Sequence, residues 1–122
     1  MPTSGRTILV VEDDPSVRDM ITSALLFEGH AVLAASNGKE ALDLIARNPA
    51  PRMILLDMRM PVMDGWQFAR AYRERTADPA PIVVLTAAQN AAAWAQEIDA
   101  AAHLAKPFTL DALFAVVGQI DG

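Results

Sequence analysis

Apolar and polar residues follow one another in blocks along this chain of 122 residues. Several short runs are continuously apolar and rich in β-branched or aliphatic residues, and polar or turn residues bound each of them. Runs of this kind are typical of strands that are buried on both faces. The predicted strands are Ile8–Val11, Ala31–Ala34, Met53–Leu56, Ile82–Leu85 and His103–Ala105.

The segments between these runs have apolar residues at helical spacing and begin with capping residues. Asp14 precedes Pro15, a pair that suits an N-cap and the first helical position. Asn37 stands three residues before Glu40, as in a capping box. The predicted helices run from Pro15 to a stop at Gly29, from Asn37 to Asn48-Pro49, from Trp66 (capped by Asp64) to about Arg75, roughly from Asn90 to Ala100, and from the cap Thr109 onward.

Strands that alternate with helices predict a parallel sheet with helices on both faces, because right-handed crossovers place the helices there. The count suits a flavodoxin-like, doubly wound (βα)5 fold of the α/β class with strand order 2-1-3-4-5. We expect one domain over residues 1–122, with a core of about 6–118. In this order the topological switch point lies between the first and third strands, where ligands bind.

Polar residues follow four of the predicted strands at this ligand-binding edge. Glu12 and Asp13 follow the first strand, and Asp57 follows the third. Thr86 and Lys106 follow the fourth and fifth. Clustered carboxylates repel one another unless a cation joins them, and oxygen ligands without His or Cys favour a hard ion such as Mg²⁺.

Such a site is a receptor for a phosphoryl group. A metal and a lysine neutralise the phosphoryl oxygens, a threonine hydroxyl donates a hydrogen bond, and a carboxylate can attack phosphorus. Asp57 is the best candidate nucleophile because it ends the central strand. Lys106 is notable because the chain has only one other lysine, Lys39.

Composition excludes several classes of function. The chain has no cysteine, which rules out disulfides, thiolate metal sites and a cysteine nucleophile. A net charge of −5 argues against nucleic-acid binding, which needs clustered Lys and Arg. The sequence has no apolar run long enough to cross a membrane and no apolar signal-peptide core near Met1, so we expect a cytoplasmic protein that does not bind membranes.

Three motifs give the chain a specific family resemblance. They are Ile8-Leu9-Val10-Val11-Glu12-Asp13-Asp14, Asp57-Met58-Arg59-Met60-Pro61-Val62-Met63-Asp64-Gly65, and Ala105-Lys106-Pro107-Phe108, with Thr86-Ala87 between the last two. In this order and spacing, from about Arg6 to Gly118, the chain resembles the receiver domain of bacterial two-component response regulators, in particular single-domain, chemotaxis-regulator-like members.

The resemblance implies a role for each site residue. Asp57 would accept a phosphoryl group from a sensor histidine kinase or a histidine phosphotransfer protein. Asp13, Asp57 and the backbone carbonyl of Arg59 would bind Mg²⁺, with Glu12 acting through water. Thr86, the Ala87 amide and Lys106 would hold the phosphoryl oxygens. The peptide before Pro107 would be cis. Thr86 and the residue at position 103 would form the switch.

The resemblance also implies an output. The chain would be a signalling phospho-acceptor that catalyses only its own phosphorylation and slow dephosphorylation. Phosphorylation would reshape the face of helix 4, strand 5 and helix 5, which would bind a downstream protein, as a monomer or as a phosphorylation-dependent dimer. We expect no effector domain after residue 118, so the chain is either a natural single-domain regulator or a receiver cut from a longer protein.

Some positions depart from the family pattern. His103 stands where Tyr or Phe is usual, and a half-buried histidine with a backbone partner is as good an interpretation as a switch. Asp99 precedes Ala100 where Gly-Ala is common, so a different turn is expected there. Arg59 and Ala88 occupy the positions that tune the lifetime of the phosphoryl group.

Other interpretations compete with this one. The acids after the first strand could be helix N-terminal acids, which fully accounts for Asp14. A haloacid-dehalogenase-type phosphatase would need a second acid where Arg59 stands. A flavodoxin-like cofactor binder would need a phosphate loop after the first strand, and the sequence has none. A degenerate receiver would fold but never be phosphorylated.

Overall fold

The computed structural model of this chain describes residues 7–121. The predicted core boundary at Arg6 and the ends of the predicted domain, residues 1–6 and 122, lie outside the described part. Strands and helices alternate throughout. The elements are β1 (Ile8–Val11), α1 (Pro15–Phe27), β2 (Val32–Ala35), α2 (Gly38–Arg47), β3 (Met53–Asp57), α3 (Gly65–Arg75), β4 (Ile82–Ala87), α4 (Ala88–Glu97), β5 (Ala102–Lys106) and α5 (Leu110–Asp121).

The five strands form one parallel sheet in the order β2-β1-β3-β4-β5, which confirms the predicted topology. The register aligns Val11 with Leu56, so that β1 and β3 end side by side at the predicted switch point. Asp57 lies opposite Leu85, and Ala87 lies opposite Lys106. The carboxyl ends of β1, β3, β4 and β5 therefore share one edge of the sheet.

Alternate strand residues supply two separate cores, because successive side chains point to opposite faces. One face packs against α1 and α5, and the other packs against α2, α3 and α4. Strands β1 and β3 are buried at every position, as their continuous apolar runs predict. At about 25 cal/mol per Å² of apolar surface removed from water, this double burial is the main stabilising term.

Local capping signals set most helix starts. The Asp14 side chain accepts hydrogen bonds from the Ser16 and Val17 amides, with Pro15 in the first turn of α1. Asp64 forms a complete capping box with Gln67 at the start of α3. These polar side chains satisfy amides that have no partner inside the helix.

The predicted stop of α1 at Gly29 is also correct. Gly29 has a φ of 91°, a left-handed conformation that costs glycine little, and α1 ends at Phe27. The Gly29 amide donates to the Leu26 carbonyl, and the His30 amide donates to the Leu25 carbonyl. These bonds satisfy the last carbonyls of the helix.

Helix α4 departs from its prediction of Asn90 to Ala100. It begins at Ala88, directly after β4, and ends at Glu97. The early end follows from Asp99, whose φ of 52° is left-handed, and from the Ala100 amide, which turns back to the Ala95 carbonyl. Asp99 thus adopts the left-handed backbone conformation that glycine favours.

Two smaller corrections concern β2 and the start of α2. Strand β2 is Val32–Ala35, one residue later than predicted, because its register with β1 brings Ala35 beside Val11. Asn37 does cap α2 by accepting from the Glu40 amide. The Glu40 side chain, however, accepts from the amide and hydroxyl of Ser36 instead of closing a capping box with Asn37. Within residues 7–121, none of the helices has the length and apolar character needed to cross a membrane.

Candidate phosphoryl-acceptor site

Three carboxylates meet where β1 and β3 end. Glu12 is fully buried, Asp57 is 4% exposed, and Asp13 is exposed. One carboxylate oxygen of each lies within 4.8 Å of the others. The topology therefore brings together the three acids that the sequence singled out, although Asp57 is separated from Glu12 and Asp13 by more than forty residues of chain.

Hydrogen bonds hold both the side chain and the backbone carbonyl of Glu12. The Asp14 amide donates to Glu12 Oε2 at 3.1 Å, and the Arg18 guanidinium donates to the Glu12 carbonyl at 2.9 Å. The other oxygen, Oε1, is buried and accepts no hydrogen bond from the described residues. A buried carboxylate is costly unless positive charge lies beside it.

Lys106 provides positive charge at the same place. Its Nζ lies 2.6 Å from Glu12 Oε1 and 3.7 Å from Asp57 Oδ1. The shorter contact is a close ion pair between the lysine ammonium and a buried carboxylate oxygen. The peptide between Lys106 and Pro107 is cis.

The environment of Asp57 disfavours its charged form. Burial is the largest cause and raises the pKa of the carboxyl group to about 8, helped by a hydrogen bond with Asp13 and by the nearby negative charge of Glu12. The Lys106 ammonium lowers the pKa but does not outweigh these effects. The metal-free carboxyl therefore holds a proton near neutral pH, and a cation bound by these acids would favour its release.

Thr86 and Ala87 form the end of β4 beside Asp57. Thr86 is 4% exposed, and Ala87 is also the N-cap of α4. No side chain caps this helix, so its first amides remain available at the sheet edge. Free amides at a helix N-terminus are suited to bind an anion. The resemblance named the Ala87 amide alone; the further amides of the first turn were missed because the sequence placed the helix start two residues later.

A cavity of about 570 Å³ opens at this edge of the sheet. Its lining residues come from the end of β1, from the β3–α3 loop and from the start of α3. They are Asp13, Arg59, Met60, Pro61, Asp64 and Trp66. The sequence identified Asp13 and Arg59 as site residues but treated Trp66 as a packing residue; its place on the cavity depends on how α3 packs.

The β3–α3 loop is held close to Asp57 by Gly65. The Gly65 amide donates to the Met58 carbonyl at 3.0 Å. A Cβ atom at position 65 would lie 2.7 Å from Met58 Cα and 3.1 Å from the Asp57 carbonyl oxygen. The loop can therefore pack this tightly only because residue 65 is glycine. The Arg59 amide, inside this loop, donates to Asp57 Oδ1 at 3.3 Å.

His103 does not join the acid cluster. It lies in β5 opposite Val84, and its side chain is exposed. The interpretation of a half-buried histidine is therefore wrong. Thr86, in contrast, is buried next to the acid site. The two residues that we expect to move one after the other therefore lie on adjacent strands, with Thr86 buried and His103 exposed.

Comparison with known proteins identifies the family. The family model of the response regulator receiver domain matches residues 8–118. The response regulator MprA of Mycobacterium sp. (strain KMS) is 44% identical over 110 residues, which cover 88% of this chain and 47% of that protein. MprA of Mycobacterium avium (strain 104) is 43% identical over the same shares. The chain thus spans about half the length of these relatives.

Solved structures give the same result. The chemotaxis protein CheY4 of Vibrio cholerae has a TM-score of 0.83 at 28% identity, with 94% of this chain and 98% of that chain covered. The receiver domain of NtrX from Brucella abortus has a TM-score of 0.83 at 29% identity, covering 93% and 96%. TrrA from Thermotoga maritima has a TM-score of 0.81 at 29% identity, covering 94% and 98%.

Proposed function

This chain belongs to the response regulator receiver domain family, and from that premise we propose that Asp57 accepts a phosphoryl group and thereby switches a protein-binding surface. One observation carries the proposal: a buried aspartate at the end of the central strand has two further carboxylates within 4.8 Å and a lysine Nζ at 3.7 Å. This arrangement is poorly explained as a stabilising element, because burial, together with Asp13 and the charge of Glu12, raises the pKa of Asp57 to about 8.

The transfer is a displacement at phosphorus. A carboxylate oxygen of ionised Asp57 forms a bond to the phosphorus of a phosphohistidine, and the P–N bond of the donor breaks. The donor imidazole leaves with the bonding electron pair. The donor is a sensor histidine kinase or a histidine phosphotransfer protein. Because the carboxyl must be ionised to attack, a cation that lowers its pKa below neutral pH increases the fraction of reactive Asp57.

The donor set fits Mg²⁺. Asp13, Asp57 and the backbone carbonyl of Arg59 would hold the ion, with Glu12 acting through water, and the ion would neutralise the acids and the phosphoryl oxygens. Three carboxylates that lie within 4.8 Å of one another, with a single lysine beside them, support a cation here. The related TrrA was solved in complex with Mg(2+)-BeF, which also supports this assignment.

The phosphoryl oxygens would be held by groups already at the sheet edge. The Thr86 hydroxyl and the Ala87 amide would donate hydrogen bonds, and Lys106 would form an ion pair. Lys106 would have to leave Glu12, to which its Nζ is closer in the unmodified chain. This exchange of partners is inexpensive if Mg²⁺ takes over the neutralisation of the acids.

Signal output would follow from Thr86 and His103. Movement of Thr86 toward the phosphoryl group would leave space behind it, and the exposed His103 would rotate inward to fill that space. This would reshape the face of α4, β5 and α5, which would bind a downstream protein as a monomer or as a phosphorylation-dependent dimer. We expect His103→Ala to weaken partner binding that depends on phosphorylation; unchanged binding would remove His103 from the switch.

The protein would work as a cytoplasmic signalling module and not as an enzyme with a separate substrate. Its chemistry would be limited to its own phosphorylation and slow dephosphorylation. Arg59 supports this limit, because it stands where a phosphatase of the haloacid dehalogenase type needs a second acid to activate water.

The deciding experiment is intact-mass measurement after incubation with Mg²⁺ and acetyl phosphate. We expect a single phosphoryl adduct that requires Mg²⁺ and is absent from Asp57→Asn. Asp14→Asn is the matched control, because Asp14 is an exposed neighbouring acid whose capping role asparagine can also fill. It should keep the adduct.

The opposite outcomes are also informative. The absence of an adduct with any small phosphodonor would contradict the proposal and favour a receiver with a constitutive surface. Steady release of phosphate over many turnovers, with little adduct, would instead indicate a phosphatase. An adduct that survives in Asp57→Asn would assign the acceptor role to another residue.

A further inference from the structure

Arg59 makes a contact that the phosphorylation chemistry does not require. Its guanidinium carbon lies 5.8 Å from the centre of the Trp94 ring, within the range of a cation–π interaction. Arg59 belongs to the loop directly after Asp57, whereas Trp94 lies in α4. The contact therefore joins the loop of the acceptor to the helix of the proposed output surface.

Trp94 also contacts a second tryptophan. Trp66, in the first turn of α3, meets it edge-on, with ring centres 4.9 Å apart and planes at 67°. The Trp66 indole donates a hydrogen bond to Glu97 Oε1 of α4 at 2.8 Å. Two aromatic rings and one carboxylate thus build a fixed platform on which Arg59 rests.

Helix α4 has few other large side chains with which to hold its position. Five of its ten residues are alanines, and Trp94 is its only aromatic residue. Its buried residues, Ala91 and Ala95, are both small. A contact to Trp94 is therefore a substantial part of what connects this helix to the loop beside Asp57.

Arg59 is also placed to be drawn away. Its side chain is exposed and lines the same cavity as Asp13, whose carboxylate lies within 4.8 Å of that of Asp57. Within residues 7–121, no carboxylate lies within ion-pair distance of its guanidinium. A phosphoryl group on Asp57 adds charge and strong acceptor oxygens close by. Arginine binds such oxygens more strongly than it binds an exposed aromatic ring.

We propose that Arg59 is a second switch element: it rests on Trp94 in the unmodified chain and moves to the phosphoryl group on Asp57, which releases α4 from the acceptor loop. The inference rests on the proposed phosphorylation of Asp57. It differs from the movement of Thr86 and His103 because it acts through the loop after β3 and not through β4 and β5. Arg59 is a positioning residue for α4 and a ligand of the phosphoryl group.

The two partners compete for one side chain, which fixes the direction of the effects. Removing the Trp94 ring should free Arg59 and tighten binding of a phosphoryl mimic by about two- to fivefold, the equivalent of one exposed cation–π contact. Removing the guanidinium should weaken binding. In the absence of Arg59, removing Trp94 should have no effect, because nothing is left to compete for.

The test is a double-mutant cycle on the binding of beryllofluoride in the presence of Mg²⁺, measured by calorimetry. The variants are Trp94→Leu, which keeps an apolar side chain at this position, Arg59→Gln, and the double variant. Arg70→Ala is the matched charge control, since Arg70 is an exposed arginine on the neighbouring α3. Tryptophan emission of Trp66→Phe, in which Trp94 is the only indole, gives a second readout of the release.

We expect tighter binding by Trp94→Leu, no further effect of this change in Arg59→Gln, and an emission change on binding that Arg59→Gln abolishes. An equal effect of Trp94→Leu in both backgrounds, or no effect in either, would overturn the competition while leaving the phosphorylation of Asp57 intact. If the wild-type chain does not bind beryllofluoride at all, the proposed function itself fails, and this inference fails with it.

Discussion

The raised pKa of Asp57 predicts that the free energy of unfolding of the protein without Mg²⁺ falls as pH rises. In the folded chain the carboxyl has a pKa of about 8, against an ordinary value of 3.8, chiefly because it is buried. Between these values the folded chain holds a proton that the unfolded chain has lost. The stabilisation from this proton is complete below pH 3.8 and is lost as pH rises through about 8.

The size of the effect follows from the single proton involved. One bound proton changes the free energy of unfolding by at most about 1.4 kcal/mol per pH unit. From pH 5 to pH 7 the stability of the metal-free chain should therefore fall by about 2–3 kcal/mol relative to a chain without this group. Most carboxylates in folded proteins act in the opposite sense, because pairing lowers their pKa values.

Asp57→Asn isolates this contribution because asparagine resembles the protonated acid in shape and carries no charge. Urea unfolding with a chelator present, at pH 5, 6, 7 and 8, would give the free energy of unfolding of both chains. We expect the variant to be more stable than the wild type already at pH 5, by about 1.5 kcal/mol, and the difference to grow by about 1.4 kcal/mol per pH unit up to about pH 8. A difference that does not change with pH would refute the idea that burial suppresses ionisation of Asp57.

Two further predictions concern the metal and the loop. At pH 8, Mg²⁺ should raise the melting temperature of the protein. Asp13→Asn should largely abolish this increase, whereas the control Asp14→Asn should keep it. Equal losses in both variants would show that the response is not specific to the acid cluster. Gly65→Ala should lower the free energy of unfolding by roughly 2 kcal/mol or more, because its Cβ would lie 2.7 Å from Met58 Cα. The control Gly118→Ala meets no atom within 4 Å and should stabilise α5 by roughly 0.5–1 kcal/mol in the same urea titration. A Gly65→Ala chain as stable as the wild type would show that the loop can move aside.

The strands and most helix starts are determined by the sequence itself, because their causes are local. Continuous apolar runs such as Ile8–Val11 can only be buried on both faces, and Asp14 and Asp64 cap helices through amides two or three residues away. The order of the strands then follows from general rules on parallel sheets. Those rules place Glu12 and Asp57 at one edge without any knowledge of distances.

Only the tertiary structure decides the features that depend on contacts between distant segments. Examples are the pairing of Lys106 with Glu12, the resting place of Arg59 on Trp94, and the end of α4 at Glu97. The partners in the first two examples are 35 or more residues apart in the chain. In the third, the left-handed backbone conformation of Asp99 sets the end of the helix. The pKa of Asp57 belongs here too, because burial and neighbouring charge are properties of the packed site, and no pattern of residue types along a chain contains them.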